Sequence, residues 1–517
     1  MIYLVTKQQQ LFTNDFYKII SLECCLDLMQ KMPIIQVDSE TTGRDPHVND
    51  FLCVQFGNDK LDVRIVVDTT TIPVTSFKSI LESKTLLFQN GKFDLQFFYN
   101  YNIHPLNIYD TMIVEQFLHL GYPSGQISYS LKEIARRRLN VDIDKTVRGE
   151  IIWRGLDEEV IKYAAGDVTY LEKIMHSQIE DLEKIPNAKI GAKIECRFTP
   201  VIAYLEWCGI KLDENKWKEK MRKDKLKLQQ SEEALNTFLI DTYNKGNEKL
   251  KPFIFVDYQL SLFEENNSKV GIPQVKINWS SSPQVIEVAK ALGFNTNTID
   301  KKTGEEKDSV MEKQLSLQKG INDEFLRLYF GEGSEGKPNY FPGYSGSYKV
   351  VTSFGQGHLN AINPHTGRIH TTYRAIGTVS GRMSSGSKQP NSDLAKLKGL
   401  PINPNAKQKK EGLGCGYPNM QQLPHDKETR SCFVAEKGNL FCSCDYSSME
   451  ARIGADVYDE HKLLDEFLYG SGDTHAAYAK AVFAEELKDI DTKDIKKKRP
   501  DLRSKVKSVE FAVKWAA

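Results

Sequence analysis

The sequence predicts a multidomain protein of mixed α/β and α+β class, and three observations support this. At 517 residues the chain is too long for a single hydrophobic core. Residues 33–68 contain three segments rich in β-branched and aromatic residues, and apolar residues then recur at helical spacing to about residue 190. From residue 194 onward, further helical patterns alternate with a long polar stretch and a second group of strand and turn signals.

The composition excludes several classes of protein. With 40% hydrophobic and 27% charged residues the chain is globular, and no apolar run is long enough to span a membrane. The first ten residues lack the layout of a signal peptide, so we expect the protein in the cytoplasm. Nine cysteines without a C-x-x-C pair are expected to be reduced core residues, and basic clusters such as Arg136–Arg138 to be solvated faces.

The first region predicts a sheet followed by helices. Residues 33–40, 51–58 and 61–68 are expected to be strands, and residues 85–90 a fourth strand that leads into a helix. Helical patterns then continue to about residue 190. A mixed sheet followed by helices is an α/β domain.

Acidic residues are placed at three points of this region. Asp38 and Glu40 are two apart on a predicted strand, so both side chains leave the same face. Asp94 falls near the start of the helix after the fourth strand. Tyr163 and Asp167 are four residues apart on a predicted helix, one above the other.

Four converging carboxylates require cations, because their like charges would otherwise repel and raise their pKa values. Mg²⁺ or Mn²⁺ prefers oxygen ligands and leaves positions open for phosphate oxygens. Two ions about 3.5–4 Å apart can hold an attacking hydroxide and a leaving 3′ oxygen in line, and Tyr163 would orient the attacking water. Alone, a D-x-E pair is typical of a surface strand. The three groups in this order favour a nuclease site.

On these residues, positions 33–175 resemble the proofreading 3′→5′ exonuclease domain of the ribonuclease H-like fold. The resemblance implies that single-stranded DNA 3′ ends are the substrate. It also implies that Asn90, in FQNGKFD, helps to hold the DNA end. The implied catalytic residues are Asp38, Glu40, Asp94, Tyr163 and Asp167, of which the four acids bind the metal ions.

The second region predicts fewer elements. A helix ends at Cys208-Gly209-Ile210, and a long charged helix follows over about 212–243. Residues 244–350 are polar and allow few assignments, and residues 386–417 are expected to be a long loop or insertion. NLFCSCD at 439–445 predicts a buried strand, with helical patterns from Ser447 to the end.

A second constellation follows that strand. Asp445 would lie at the strand end, and Glu450 about a turn and a half into the next helix. Further on, two cations and two aromatic residues recur every four positions, which keeps their side chains on one side of a helix. Such a row suits the binding of a nucleotide, with its phosphates at the cations and its base or sugar at the aromatic rings. These four residues are Arg503, Lys507, Phe511 and Trp515.

Residues 194–517 resemble the family A DNA polymerases, which are related to bacterial polymerase I. Six ordered segments carry the resemblance: RFTPVIAYLEWCGIKLD at 197–213, TGRIHTTYRAIGTVSGRMSS at 366–385, PNMQQLP at 418–424, DYSSMEAR at 445–452, SGDTHAAYA at 471–479 and RSKVKSVEFAVKW at 503–515.

The resemblance implies roles for individual residues. Asp445 would bind catalytic metal, and Glu450 would exclude a ribose 2′-hydroxyl. The incoming deoxynucleoside triphosphate would contact Glu450, His475, Arg503, Lys507, Phe511 and Trp515, with Lys507 also catalytic. Primer-template DNA would contact Arg382, Asn419, Gln421 and Gln422, which position a duplex without reading its sequence.

We therefore expect an exonuclease domain at 1–192 and a polymerase domain at 193–517. The latter would comprise a thumb at about 212–350, a palm at about 351–455 and the start of the fingers at about 456–517. The family's last palm motif, H-D-E, is not found in these residues, so polymerisation is expected to need a C-terminal part, supplied in trans or as the rest of a longer protein.

Two alternatives stay open. One is a stand-alone metal-dependent exonuclease whose C-terminal half only binds DNA. The other is a DNA-binding scaffold without activity.

Overall fold

A computed structural model describes residues 1–8, 16–122, 125–143, 151–260, 269–300, 303–318, 320–333 and 341–506. The chain divides into two compact units, Met1–Lys437 and Gly438–Ala517. Each unit is described by itself.

A seven-stranded sheet organises the start of the first unit. Its spatial order is β2-β1-β5-β4-β3-β6-β7, with β3 antiparallel to β4 and parallel to β6. The four predicted strands correspond to β3, β4, β5 and β6. The strands are β1 (Ile2–Val5), β2 (Tyr17–Ile19), β3 (Ile34–Thr41), β4 (Phe51–Asn58), β5 (Val63–Asp68), β6 (Thr85–Phe88) and β7 (Ile108–Asp110).

Helices pack on this sheet over an aromatic core. Phe56, Phe77, Phe88 and Phe98 are buried there, as the apolar spacing of the strands and helices predicts. The predicted helix after the fourth strand is α3. The helices are α1 (Leu22–Lys31), α2 (Lys78–Ser83), α3 (Lys92–Asn100), α4 (Thr111–Leu118), α5 (Leu131–Leu139), α6 (Ile151–Arg154), α7 (Glu158–Asp167), α8 (Leu171–Glu183) and α9 (Ala188–Cys208).

Helix α9 continues from the first region into the second. It begins at Ala188, earlier than the predicted Ile194, and ends at Cys208 as predicted. Gly209 follows with φ +59, and a Cβ there would lie 2.7 Å from His370 Nδ1 and 2.8 Å from the Ile369 carbonyl oxygen. The turn therefore requires glycine, because a side chain would meet both the left-handed backbone and the neighbouring strand.

The long charged helix is α10 (Glu214–Asn244), close to its predicted range. Its apolar side packs against a core that includes Leu235, Trp279, Phe325 and Tyr329. The polar stretch contains more structure than its composition indicates. Its elements are a 3₁₀ turn (Glu248–Phe253), β9 (Ile254–Leu260), β10 (Lys269–Val275), α11 (Ser282–Ala291), β11 (Asn297–Ile299), β12 (Glu306–Asp308), α12 (Glu312–Leu315), a 3₁₀ turn (Ser316–Gln318), α13 (Asp323–Phe330), α14 (Gly343–Ser353) and α15 (Gln356–Asn360).

A small four-stranded sheet lies in the C-terminal part of the first unit. Strand β8 (Ile210–Leu212) lies between β14 and β19, in the order β13-β14-β8-β19. The expected long loop at 386–417 instead contains a strand pair and two short helices, whose caps are the polar residues Asn391 and Asn405. The elements are β13 (Ile362–Asn363), β14 (Arg368–Ile369), β15 (Tyr373–Arg374), β16 (Ser384–Ser385), β17 (Ser387–Pro390), α16 (Ser392–Leu397), α17 (Ala406–Lys410), β18 (Gly416–Tyr417), a 3₁₀ turn (Met420–Gln422), α18 (Lys427–Arg430) and β19 (Phe433–Val434).

The second unit is helical. Its core includes Ala476, Leu487, Ile495 and Leu502. Its elements are α19 (Met449–Val457), α20 (His461–Leu468), α21 (Thr474–Val482) and α22 (Thr492–Lys498), and residues 500–506 are also helical.

The predicted buried strand at 439–445 is wrong. These residues form no regular element and are exposed, with Leu440 at 94% and Phe441 at 60% exposure. An apolar run forms a strand only where a neighbouring strand pairs its backbone, and no described strand pairs with this one. Cys442 and Cys444 are exposed for the same reason, with Sγ atoms 3.7 Å apart, so the expectation that all cysteines are core residues is also wrong.

The expectation for the Arg136–Arg138 cluster is also wrong in part. Arg137 Nη2 lies 3.0 Å from Glu115 Oε1, and Arg138 is bonded to the other oxygen of this fully buried carboxylate. The cluster therefore stabilises the packing of α4 and α5. Among the described residues, no helix combines the length and apolar character needed to cross a bilayer.

Candidate functional site

Three of the predicted carboxylates converge on one point of the first unit. Asp38, Glu40 and Asp167 each place a carboxylate oxygen within 4.8 Å of the others. Asp38 and Glu40 lie on one face of the central strand β3, opposite Gln55 and Cys53 of β4. Asp167 is the last residue of α7, which contacts β3, β4 and β5.

Asp94 joins this group through the residue between the two strand acids. It lies in the first turn of α3, 2% exposed, and Ser39 Oγ donates a hydrogen bond of 2.5 Å to its Oδ1. Burial raises the pKa of the Asp94 carboxyl well above its usual range, and the negative charges of Asp110 and Glu40 raise it further. A bound cation would reverse this effect by stabilising the ionised form.

Tyr163 lies one helical turn before Asp167, on α7. The residue is largely buried, and it packs with Val160 and Ile151 in a small apolar cluster. This packing holds the helix turn that carries both Tyr163 and Asp167, as the four-residue spacing predicts.

The donor set fits a hard divalent cation. All four acids offer oxygen ligands, which Mg²⁺ and Mn²⁺ prefer over nitrogen and sulfur ligands. The cluster of Asp38, Glu40 and Asp167 is the acidic group among the described residues with the spacing of a metal site. These residues could hold a metal ion. Asp94 lies close enough to Glu40 for the two carboxylates to interact electrostatically.

Asp110 is a residue of this region that the sequence patterns did not single out. It is fully buried at the N-terminus of α4 and accepts four backbone N–H bonds. Two come from Asn90 (3.1 Å) and Gly91 (2.8 Å), which precede α3, and two from Met112 (2.9 Å) and Ile113 (3.3 Å). The capping pattern of an aspartate before TMIVEQFL could have indicated its role at α4, but not its bonds to Asn90 and Gly91.

Asn90 is held in the left-handed region, with φ +64, by these bonds. It lines a cleft of about 450 Å³ that also contains Arg44, Lys92, Gln116 and Arg374. Lys92 Nζ donates to Glu206 Oε1 (2.7 Å) and to the Tyr373 carbonyl oxygen (2.6 Å), two further residues that line the cleft. The cleft thus lies between the exonuclease-like region and residues 370–393.

The residues predicted to contact primer-template DNA lie on the surface of the first unit. Arg382, Gln421 and Gln422 are exposed. Asn419 is half-buried, and its side chain accepts a hydrogen bond of 3.0 Å from the backbone N–H of Gln421. Ser385 in turn accepts a bond of 3.1 Å from Met420 N, which joins the two motif segments.

In the second unit, Asp445 and Glu450 are exposed, the latter in the first turn of α19. Asp445 does not end a strand, because residues 439–445 are irregular. Arg503 forms a two-point ion pair with Asp473, with Nε and Nη2 at 2.8 and 3.0 Å from its two oxygens, and His475 lies two residues beyond Asp473 on α21. Lys507, Phe511 and Trp515 lie outside the described residues.

Comparisons with known proteins agree with these motifs. Residues 17–183 match the family model described as 3′-5′ exonuclease, and residues 338–516 match the model described as DNA polymerase family A. The chain is 23% identical to DNA polymerase I of Aquifex aeolicus over 493 residues, which cover 91% of this chain and 67% of the relative. It is 23% identical to DNA polymerase I of Pseudomonas aeruginosa over 521 residues, covering 94% of this chain and 46% of that protein.

A shorter match, at 30% identity over 169 residues, relates the chain to DNA polymerase I of Caldicellulosiruptor bescii and covers 15% of that protein. The chain thus spans 67% or less of the length of these three relatives. Among solved structures, the polymerase domain of Pol1 from M. smegmatis, in complex with DNA primer-template and dNTP, matches with a TM-score of 0.64 at 16% identity. That match covers 95% of this chain and 70% of the other. The chain therefore carries a 3′-5′ exonuclease domain ahead of a domain of the DNA polymerase family A type.

Proposed function

We propose that residues 1–192 form a 3′→5′ exonuclease domain that removes nucleotides from single-stranded DNA 3′ ends, as the proofreading part of a polymerase used in replication or repair. The observation that carries this proposal is the cluster of Asp38, Glu40 and Asp167 within 4.8 Å. Its setting supports it, since a buried acid and a tyrosine lie beside it. In this proposal the protein acts in the cytoplasm of a bacterial cell or phage-infected host; the relatives, which are bacterial, support the bacterial cell.

In this proposal Asp38, Glu40, Asp94 and Asp167 hold two Mg²⁺ or Mn²⁺ ions. When bound, such ions neutralise phosphate charge and lower the pKa of water. Tyr163, one turn from Asp167, orients the attacking water. Asn90 contacts the terminal nucleotide, which approaches along the cleft lined by Lys92 and Arg374.

Single substitutions test the exonuclease. We expect Asp38→Ala and Asp167→Ala each to abolish digestion of a 5′-labelled single-stranded oligonucleotide in Mg²⁺ or Mn²⁺, while oligonucleotide binding is retained. Digestion at the wild-type rate by both variants would reject the site. No digestion by the wild-type protein in either metal would favour the DNA-binding scaffold instead.

We also propose that residues 193–517 form the polymerase domain, with a thumb at about 212–350, a palm at about 351–455 and fingers from about 456. Asp445 binds metal, and Glu450 excludes ribonucleotides by contact with a 2′-hydroxyl. The triphosphate contacts His475, Arg503 and Lys507, with Phe511 and Trp515 at its sugar and base. The exposure of Asp445 and Glu450 leaves both accessible to a nucleotide. Primer-template DNA contacts Arg382, Asn419, Gln421 and Gln422.

Primer extension in this proposal requires a second palm carboxylate from a C-terminal polymerase segment, added in trans or as part of a longer protein. We expect extension of a primed template by dNTPs only when that segment is supplied. If the completed protein binds primed DNA but extends nothing, the alternative of an exonuclease with a DNA-gripping C-terminal half is favoured.

A further inference from the structure

The turn that follows Asp167 packs closely against the large sheet. Helix α7 ends at Asp167, and the next residue, Val168, lies against Gly57 of β4. A Cβ atom on Gly57 would lie 3.1 Å from the Val168 carbonyl oxygen and 3.2 Å from Val168 Cγ2. Because Gly57 has no side chain, the backbone next to Asp167 can approach the strand closely.

A buried arginine binds the following residue of the same turn. Arg64 lies opposite Gly57 on β5 and is 8% exposed. Its Nε donates a hydrogen bond of 3.3 Å to Thr169 Oγ1, and its Nη2 donates one of 3.3 Å to the Thr169 carbonyl oxygen. Thr169 Oγ1 in turn donates to the Ala165 carbonyl oxygen at 2.8 Å. The guanidinium therefore contacts the turn at two points and is connected through the hydroxyl to the last turn of α7.

The guanidinium of Arg64 is itself held by the ends of two strands. Its Nη1 donates to the carbonyl oxygens of Asn58, at 3.1 Å, and Val63, at 2.8 Å. Its Nη2 also donates to the carboxylate of Asp59. Since these partners belong to the ends of β4 and β5 and to the link between them, the guanidinium keeps a fixed position on the sheet.

Hydrogen bonds continue from Asp59 to β3, the strand of the other two acids of the metal site. Gln36 Nε2 donates to Asp59 Oδ1 at 3.0 Å. Gln36 is fully buried and precedes Asp38 by two positions, so both side chains leave the same face of β3. One row of bonded side chains therefore joins the strand of Asp38 to the turn after Asp167.

The position of this turn matters because metal affinity depends on the spacing of the ligands. Asp167 comes from α7 and the other two acids from β3, so the packing of the helix end on the sheet sets the separation of their oxygens. In the structure these oxygens lie within 4.8 Å of one another. Removing a group that orients a metal ligand without touching the ion typically weakens metal binding about 10–100-fold.

We infer that Arg64 is a positioning residue of the metal site. By holding residues 168–169 against the sheet, it keeps Asp167 at the distance from Asp38 and Glu40 that a divalent cation requires. This inference rests on the proposed exonuclease and adds a residue to it. Arg64 acts through the turn and contacts neither the metal ion nor DNA.

Two substitutions test the contact from its two sides. Arg64→Lys keeps the positive charge, but an ammonium group cannot reproduce the two-point contact with Thr169. Thr169→Val keeps the size of the side chain and removes the hydroxyl that accepts from Arg64. We expect each substitution to raise the Kd for Mn²⁺ about 10-fold in the full chain, for the ions that Asp38→Ala fails to bind. The double variant should be weakened by much less than the product of the two effects, because both changes remove the same contact. Electron paramagnetic resonance titration with Mn²⁺ measures these affinities.

Digestion of a 5′-labelled single-stranded oligonucleotide gives a second readout. The Mg²⁺ concentration for half-maximal digestion should rise about 10-fold in Arg64→Lys. Saturating Mg²⁺ should restore most of the wild-type rate, because all the metal ligands are still present. A substitution that only destabilised the fold would not produce this recovery.

Arg138→Lys is the matched control. The side chains of Arg138 and Arg64 are similarly buried, at 8% and 10% exposure, and Arg138 pairs with Glu115 and Asp181 on other helices. We expect Arg138→Lys to lower the thermal midpoint, as Arg64→Lys does, and to leave the Mn²⁺ affinity and the Mg²⁺ requirement as in the wild type. All variants are compared at a temperature below their thermal midpoints.

The inference is overturned if Arg64→Lys and Thr169→Val both bind Mn²⁺ as tightly as the wild type, or if Arg138→Lys weakens Mn²⁺ binding as much as Arg64→Lys does. Should Arg64→Lys fail to fold, the Mn²⁺ affinity of Thr169→Val decides alone. Failure of the proposed exonuclease has a different signature. In that case the wild type binds Mn²⁺ but digests no DNA, whereas the titration still reports whether the affinity depends on Arg64.

Discussion

At the scale of single residues, the carboxylate site depends on side chains that a strand and a helix bring to one face. Asp38 and Glu40 lie two residues apart on β3, and Tyr163 and Asp167 lie four apart on α7. Asp94 is connected to the strand by the hydrogen bond that Ser39 donates to it. This bond depends on how α3 packs on the sheet.

A buried histidine, His358, makes the stability of the fold depend on pH in the acid range. His358 is 2% exposed and packs at a tilt of 33° against Trp217, with 4.8 Å between ring centroids. Burial, together with the nearby charge of Lys220, lowers the pKa of His358 to about 4. The folded protein therefore keeps this ring neutral at pH values where an unfolded chain protonates it.

We expect this histidine to weaken the fold between pH 6.5 and 4. Unfolded histidine takes up a proton near pH 6.5, whereas folded His358 does so only near pH 4. Its contribution is complete above pH 6.5 and is lost as the pH falls, by up to about 3 kcal/mol. Urea unfolding at pH 7 and 4.5 should show a smaller loss of stability in His358→Gln than in the wild type.

The control for this substitution is His176→Gln, because the His176 side chain is 64% exposed. That variant should follow the wild type at both pH values. Equal pH dependence in His358→Gln and the wild type would show that the buried ring does not carry the effect.

At the scale of elements, one carboxylate joins two helices of the exonuclease region. Asp110 accepts N–H bonds from the start of α4 and from Asn90 and Gly91 ahead of α3. We expect Asp110→Ala to lower the free energy of unfolding by about 2–4 kcal/mol, because buried N–H donors lose their acceptor. The loss of an ordinary helix cap has a smaller effect. Digestion of single-stranded DNA should also slow, since Asn90 and Asp94 lie on the freed segment.

Asp213→Ala is the matched control for that substitution. The Asp213 side chain caps α10 by accepting a hydrogen bond of 3.0 Å from Lys216 N, and it lies far from the carboxylate cluster in sequence. It should cost about 1 kcal/mol and leave digestion unchanged. Urea unfolding and a digestion assay on both variants measure the difference, and equal losses would reject the special role of Asp110.

Several elements, and the spacing of the site residues on β3 and α7, could be predicted from periodicity. The bond from Ser39 to Asp94 could not be predicted, since it joins residues 55 positions apart. Two mispredicted segments have a physical reason. The strands β3 to β6 and the helix α10 followed their patterns because local spacing and tertiary burial agree there. Residues 439–445 carry the apolar pattern of a strand but have no described partner strand. Two of the polar residues in 386–417, Asn391 and Asn405, cap short helices, which composition alone does not distinguish from a loop.

At the scale of the whole molecule, the carboxylate cluster lies entirely within the compact unit Met1–Lys437. We therefore expect a chain ending at Lys437 to fold and to digest single-stranded DNA at a rate close to that of the full chain. Circular dichroism and a digestion assay measure this, with Asp38→Ala in the same shortened chain as the inactive control. A shortened chain that folds but does not digest would show that residues 438–517 contribute to the exonuclease.

The most direct test of the central claim is to follow Mn²⁺ binding and DNA cleavage together. Electron paramagnetic resonance titration with Mn²⁺ should show ions bound by the wild type and fewer ions bound by Asp38→Ala and Asp167→Asn. In a parallel assay, cleavage of a single-stranded oligonucleotide from its 3′ end should rise with Mn²⁺ occupancy and stop in EDTA. Cleavage that persists in EDTA, or Mn²⁺ binding that is unchanged in both variants, would contradict the assignment of Asp38, Glu40 and Asp167 as a metal-dependent exonuclease site.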